Sequence, residues 1–160
     1  MNVYSDAGKG SIFRVYLPAL ESEMVETSVD RREEFQKGNG ELILVVDDDV
    51  AVCETACAVL ESSGYTVVKA NDGTEAVSQF AQHANRVKAA IIDMQMPFMD
   101  GSATIRALKK MNPGIKIIAA SGMTILSLGG AANLGVEAVL AKPYTAGTLL
   151  ETLGKILYGS

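Results

Sequence analysis

Leu42-Ile43-Leu44-Val45-Val46-Asp47-Asp48-Asp49 decides how this chain folds, because five consecutive apolar residues, mostly β-branched, run straight into three adjacent carboxylates. A short apolar run without alternation is the pattern of a strand buried on both faces, as in the centre of a parallel sheet. Such a strand delivers its three negative charges at its C-terminal end, where open α/β sheets bind ligands. Adjacent carboxylates repel one another and need a cation or water to stay ionised. The stretch therefore has two readings. One is a divalent-metal site at the edge of a doubly wound sheet; the other is an acidic helix start with Asp49 as its cap.

Outward from this strand, a strand-then-helix pattern repeats. Val52, Ala56, Val59 and Leu60 follow at helical spacing, and Ser62-Ser63-Gly64 ends the helix. Tyr65-Thr66-Val67-Val68 is a second strand. Asn71-Asp72-Gly73 turns, Asp72 and Glu75 form a capping-box-like pair, and Ala76, Val77 and Phe80 face inward. Ala89-Ala90-Ile91-Ile92 is the third strand and ends on Asp93. After Pro97 and Asp100-Gly101, Ser102 is the expected cap of a helix with Ile105 and Leu108 inward, closed by Asn112-Pro113. Ile115 to Ala120 is a fourth strand ending on Ser121, followed by a weak helix around Gly129-Gly130. Val136 to Ala141 is the fifth strand and ends on Lys142-Pro143. Leu149, Leu150, Leu153, Ile156 and Leu157 make the last amphipathic helix. Five strand–helix units with short connections imply an α/β fold, a parallel sheet covered on both faces.

Bulk properties agree. The chain has 160 residues, 48% hydrophobic and 21% charged, enough for one ordinary core plus extra segments. Its net charge of −5 argues against a basic nucleic-acid-binding surface. Cys53 and Cys57 lie four apart on one helical face, where disulfide geometry is poor and no His completes a metal set; they read as small buried hydrophobes in a reducing compartment. The opening residues lack the apolar segment of a signal peptide. Ile117 to Val136 is uncharged over 20 residues, but its four glycines and polar Ser121, Thr124, Ser127 and Asn133 suit a strand and helix better than a membrane span.

Four of the five strands end on a reactive side chain: Asp47 and Asp48, Asp93, Ser121 and Lys142. In a parallel sheet these ends share one edge, so distant residues converge. Three carboxylates suit a hard cation such as Mg²⁺, which keeps several waters. A metal, an ammonium and a hydroxyl around one free carboxylate are the equipment of phosphoryl transfer, with Asp93 as the natural nucleophile. The bland reading of each residue, a cap, a turn or a surface charge, fails to explain why all fall at strand ends.

Glu41 to Leu157 resembles the receiver domain of two-component response regulators along its whole length. The resemblance rests on Val45-Val46-Asp47-Asp48-Asp49, Ile91-Ile92-Asp93-Met94-Gln95-Met96-Pro97-Phe98-Met99-Asp100-Gly101, Ala119-Ala120-Ser121-Gly122 and Leu140-Ala141-Lys142-Pro143-Tyr144, in order and spacing. It implies a (βα)5 flavodoxin-like fold with strand order 2-1-3-4-5, Asp93 as phosphoacceptor and Asp48 as a direct Mg²⁺ ligand beside it. It further implies Asp47 acting on the metal largely through water, Gln95 lending its backbone carbonyl, and Ser121 and Lys142 contacting the phosphoryl group. A cis Lys142–Pro143 peptide is also expected. Such a domain assists its own phosphorylation and dephosphorylation without being a conventional enzyme. One departure stands out: Val139 occupies the place of a bulky residue that swings inward on phosphorylation. His83, the only histidine, is expected to be exposed and not a phosphodonor. Met94, Met96 and Met99 are expected to pack the loop rather than bind metal.

Two rival functions fit parts of the pattern. A Mg²⁺-dependent phosphohydrolase of haloacid-dehalogenase type also begins with a strand ending Asp-x-Asp and uses a later Ser/Thr and Lys. It needs further acids after the lysine, where only Glu151 follows, and gives Asp93 no role. A receiver-like interaction module that takes no phosphate is the other, against which the intact Asp47, Asp48, Asp93, Ser121 and Lys142 argue.

Residues 1–18 hold a weakly alternating strand, Ser11 to Leu17, stopped by Pro18. Gly8 to Pro18 is similar to the last strand of a histidine-kinase ATP-binding domain, without the residues that would bind ATP. Residues 19–40, rich in Glu, Asp, Arg and Lys and closed by Gly38-Asn39-Gly40, read as a mobile linker, and 41–158 as the receiver. With a kinase-like remnant before it and no DNA-binding segment after it, the expectation is the C-terminal receiver of a hybrid histidine kinase. The expected partner is the kinase core or a histidine phosphotransfer domain. The setting expected is cytoplasmic, with no direct membrane contact by this segment, although the parent could be membrane-anchored.

Overall fold

A computed structural model of the chain describes residues 2–6, 8, 10–14, 37–122 and 134–159. They fall into two units, residues 1–31 and 32–160. In the first, β1 (Asn2–Asp6) and β2 (Gly10–Arg14) form an antiparallel hairpin, with Asn2 opposite Arg14 and Asp6 opposite Gly10. Gly8 and Gly10 take positive φ at its turn, as a tight reversal requires. The lone strand expected over Ser11–Leu17 thus has a partner that the sequence hid: Asn2-Val3-Tyr4-Ser5-Asp6 places its two strand-forming residues side by side instead of alternating. The part of that expected strand beyond Arg14 lies outside the described residues.

In the second unit, β3 (Leu42–Val46), β4 (Thr66–Ala70), β5 (Val87–Asp93), β6 (Lys116–Gly122) and β7 (Ala138–Lys142) form one parallel sheet. Its spatial order is β4-β3-β5-β6-β7, the expected 2-1-3-4-5. Four helices accompany it among the described residues: α1 (Val50–Ser62), α2 (Gly73–His83), α3 (Gly101–Met111) and α4 (Ala146–Tyr158). The weak helix expected around Gly129-Gly130 lies outside the described residues.

The apolar run that opened the chain explains the layering. All five residues of β3 are buried, and the two-residue period of a strand sends them alternately to opposite faces. Leu42, Leu44 and Val46 enter one core with Phe80 of α2 and Ile105 and Leu108 of α3. Ile43 and Val45 enter the other with Cys53, Ala56 and Leu60 of α1 and Leu149, Leu150 and Leu153 of α4. A strand lined by two cores has no solvent face, which is why its sequence shows no polar alternation. The sheet's order reverses at β3, whose neighbours β4 and β5 both follow it in sequence. That switch point opens a crevice beyond the carboxyl ends of β3 and β5.

Candidate functional site

The crevice holds the acids. Asp47 follows β3, Asp93 closes β5, and both are buried, Asp93 being only 5% exposed. Asp48 is exposed beside them. Asp47, Asp48 and Asp93 each offer a carboxylate oxygen, all within 4.8 Å of one another. Lys142, at the end of β7, reaches across two strands to join them. Its Nζ donates to Asp47 Oδ2 at 2.7 Å and pairs with Asp93 Oδ2 at 2.8 Å.

Backbone amides hold the other oxygens. Asp49 N donates to Asp47 Oδ1 at 3.0 Å, and Gln95 N donates to Asp93 Oδ1 at 3.1 Å. Both carboxylates are thereby oriented by one ammonium and one amide each, charge-assisted bonds of the stronger kind. Burial nevertheless pushes the Asp47 carboxyl above the ordinary aspartate range, outweighing Lys142 and the Asp49 amide. Burial draws Lys142 down, but the bonds and charges of Asp47 and Asp93 outweigh it and hold the ammonium above the ordinary lysine value. One cation is shared between two carboxylates, so at Asp47 it does not fully offset the desolvation. Three carboxylates against one ammonium leave room for two further positive charges.

Asp49 takes a different part. Its Oδ1 accepts from Ala51 N at 2.9 Å and Val52 N at 3.2 Å, capping α1. The acidic cluster and the helix cap thus fall on different residues of the opening stretch. Ser121 is buried at the end of β6, its hydroxyl donating to Gly122 O at 3.1 Å. It lies one residue past Ala120, which registers with Asp93. Gln95 is exposed. Lys142–Pro143 is cis. Val139 is exposed on the edge strand β7, and His83, expected to be exposed, is half-buried at the end of α2. Met96 is buried in the core, with Met94 packed against it.

Two local expectations change. The cap of α3 is Asp100, whose Oδ1 accepts from Ala103 N at 2.7 Å, and not Ser102. The helix begins earlier because Gly101 permits it: a Cβ there would stand 2.4 Å from the Asp93 carbonyl oxygen. Asp72 caps α2 through Glu75 N at 2.7 Å, but the Glu75 carboxylate answers to Asn71 N at 2.8 Å, one residue earlier than a capping box requires. Gly101 is thus a site residue that reactivity-based reading passes over; the Asp100-Gly101 pair was its only signal. Tyr144 is another neighbour of the charges, its hydroxyl pushed up by burial, with Asp47 and Asp93 adding to the rise and Lys142 opposing it.

Comparison with known proteins agrees with this arrangement. Residues 43–154 match the family model described as "Response regulator receiver domain". The sensor kinase CckA of Brucella abortus (strain 2308) is 32% identical over 96% of this chain, which spans 17% of that protein. The transcriptional regulatory protein ZraR of Escherichia coli (strain K12) is 34% identical over 72% of this chain, 26% of its own length. A response regulator receiver domain protein of Clostridium thermocellum superposes with a TM-score of 0.69 at 30% identity, covering 72% of this chain and 93% of that one. Among the described residues no helix is long and apolar enough to cross a membrane. A two-core parallel sheet with acids and a lysine converging at its switch point, matched over 43–154, places this chain in the response regulator receiver domain family of two-component systems.

Proposed function

We propose that Asp93 accepts a phosphoryl group from a phosphohistidine, and that Asp47 and Asp48 with Asp93 hold Mg²⁺ while it does so. The observation that carries this reading is the Lys142 ammonium bridging buried Asp47 and Asp93 at 2.7 and 2.8 Å. A carboxylate held in place by a cation and a backbone amide is a positioned nucleophile. An Asp93 oxygen attacks phosphorus, the P–N bond to the histidine breaks, and the departing imidazole keeps the bonding pair. The product is an acyl phosphate. Lys142 exchanges part of its carboxylate pairing for the phosphoryl oxygens, and the Ser121 hydroxyl turns from Gly122 O to donate to them. Gln95 would lend its backbone carbonyl to such an ion. Mg²⁺, when bound, neutralises charge on the phosphoryl oxygens.

The acids fit that cation in type and spacing: three oxygens within 4.8 Å of one another, with Asp48 exposed for water-bearing ligation. Phosphorylation then biases which partner the domain engages. The match to a sensor kinase covers 96% of the chain and so takes in most of the first 40 residues. This supports reading 1–18 as the end of a kinase ATP-binding domain, 19–40 as linker and 41–158 as the receiver of a hybrid histidine kinase. The partner is then the kinase core or a histidine phosphotransfer domain, in the cytoplasm, where free thiols such as Cys53 and Cys57 persist.

Transfer from an autophosphorylated cognate kinase tests the proposal. Label reaches the wild-type chain in the presence of Mg²⁺, is absent in Asp93→Asn, and is strongly slowed in Asp48→Asn. Label that survives Asp93→Asn but is lost in Asp47→Asn contradicts it.

A further inference from the structure

At the other end of β3 the chain is held by contacts that the acidic site does not need. Gly38 N donates to Ser63 O and Gly40 N to Gly64 O, both at 2.9 Å, and Thr66 N donates to Glu41 O at 3.0 Å. Residues 38–41 therefore run alongside the turn that joins α1 to β4. Bare backbone is required for this approach. A Cβ on Gly38 would lie 2.6–2.8 Å from three Tyr65 ring carbons, so the Gly38 backbone rests directly on that buried ring. A Cβ on Gly64 would lie 2.5 Å from Gly38 O, and Gly64 itself has φ +90°. Gly40 has φ +85° with nothing near its missing Cβ.

Side chains close the contact. Asn39 N donates to Glu41 Oε2 at 2.6 Å. Burial works against the Glu41 carboxylate, but the Tyr158 hydroxyl and the Asn39 amide outweigh it and hold its pKa below the ordinary glutamate value. Tyr158, in the last turn of α4, has its hydroxyl shut off from solvent and outside strict hydrogen-bond geometry, with Glu41 and Tyr65 the polar groups acting on it. The same turn is pinned from the start of β6, where Lys116 Nζ donates to Ile156 O at 2.5 Å and Leu157 O at 3.3 Å.

We propose that Gly38-Asn39-Gly40-Glu41 is a docking segment that seats the end of the linker on Ser63-Gly64-Tyr65 and Tyr158. It fixes the direction in which the upstream chain leaves the receiver. That exit lies at the N-terminal edge of the sheet, a strand length of roughly 17 Å from the Asp47 end of β3. A phosphodonor carried on the preceding chain would be tethered from the sheet edge opposite Asp93. The docking stands whether or not Asp93 takes phosphate.

Amide hydrogen exchange on the 160-residue chain tests it. The Gly38 and Gly40 amides exchange at least about tenfold slower than in an unstructured peptide. In Gly38→Val the Gly40 amide returns to the unstructured rate while β3 and β5 amides stay protected. Unprotected Gly38 and Gly40 in the wild type overturn the proposal, as does full Gly40 protection in Gly38→Val. Should Gly38→Val also strip β3 and β5, Gly40→Ala decides, since it meets no atom and acts only through its left-handed backbone. Gly38 protection must then fall several-fold with β3 intact, and unchanged protection overturns the proposal.

Discussion

A single ammonium pairs with two of the site's three carboxylates. Lys142 keeps Asp47 and Asp93 together in a buried crevice where, unpaired, they would repel. Five residues beyond Asp93, Phe98 shows the opposite situation, a side chain with nothing to hold it. It is fully exposed and its φ of 65° lies in the left-handed region, where side chains other than glycine and asparagine are strained. No packing is lost on its removal. Phe98→Gly should therefore raise stability by roughly 0.5–1 kcal/mol, after the extra freedom of glycine in the unfolded chain is deducted from the strain relieved. Urea unfolding measures this; an unchanged or lower midpoint contradicts the strain.

Among the elements, α3 matters most to the proposed nucleophile, because its first residue packs on the backbone of Asp93. Gly101→Ala would put a methyl 2.4 Å from Asp93 O and 2.6 Å from Met94 Cα. Backbone cannot step aside as a flexible side chain does, so the cost should be about 1–3 kcal/mol. Because the displaced backbone carries the proposed nucleophile, phosphorylation by acetyl phosphate should also slow. Wild-type stability and wild-type rate together would show that the contact is slack. This contact was invisible in the sequence, which records a turn at Asp100-Gly101 but not which carbonyl the glycine faces. The same limit explains Ser102: a serine before an apolar period looks like a cap, and only the close approach at Gly101 moves the start to Asp100. By contrast β3 was legible, since a strand inside two cores can only be continuously apolar. Asp49 was legible as a cap for the same local reason. The convergence of Asp47, Asp93 and Lys142 needed no more than a parallel sheet, which puts strand ends on one edge. The hairpin partner Asn2–Asp6 had no alternation to betray it.

For the whole molecule, stability rests on two cores back to back across one sheet, and Cys53 shows what that burial does to an ionisable group. The thiol is 1% exposed, and burial first, then Cys57 and Asp47, push its pKa from 9.0 up to about 12. Below pH 9 it is neutral in both states, and the preference of the fold for the neutral thiol is fully present. Between pH 9 and 12 the unfolded chain gives up its proton first, so stability falls as pH rises. Cys57, Tyr65, Tyr144 and Tyr158 are shifted in the same direction and add to the fall. Cys53→Ala should make the decline between pH 9 and 11 shallower in urea melts; an equally steep decline would clear this thiol of the effect.

The fold places a buried carboxylate, one lysine and a three-acid cluster at the crevice between β3 and β5, and the central claim is that this carboxylate takes the phosphoryl group. The most direct measurement is to incubate the chain with acetyl phosphate and Mg²⁺, reduce the acyl phosphate with borohydride, and map the product by peptide mass spectrometry. The account predicts conversion of Asp93 alone, dependent on Mg²⁺ and absent in Asp93→Asn. Modification at Asp47 or Asp48 with Asp93 untouched, or no modification at any Mg²⁺ concentration, would contradict it.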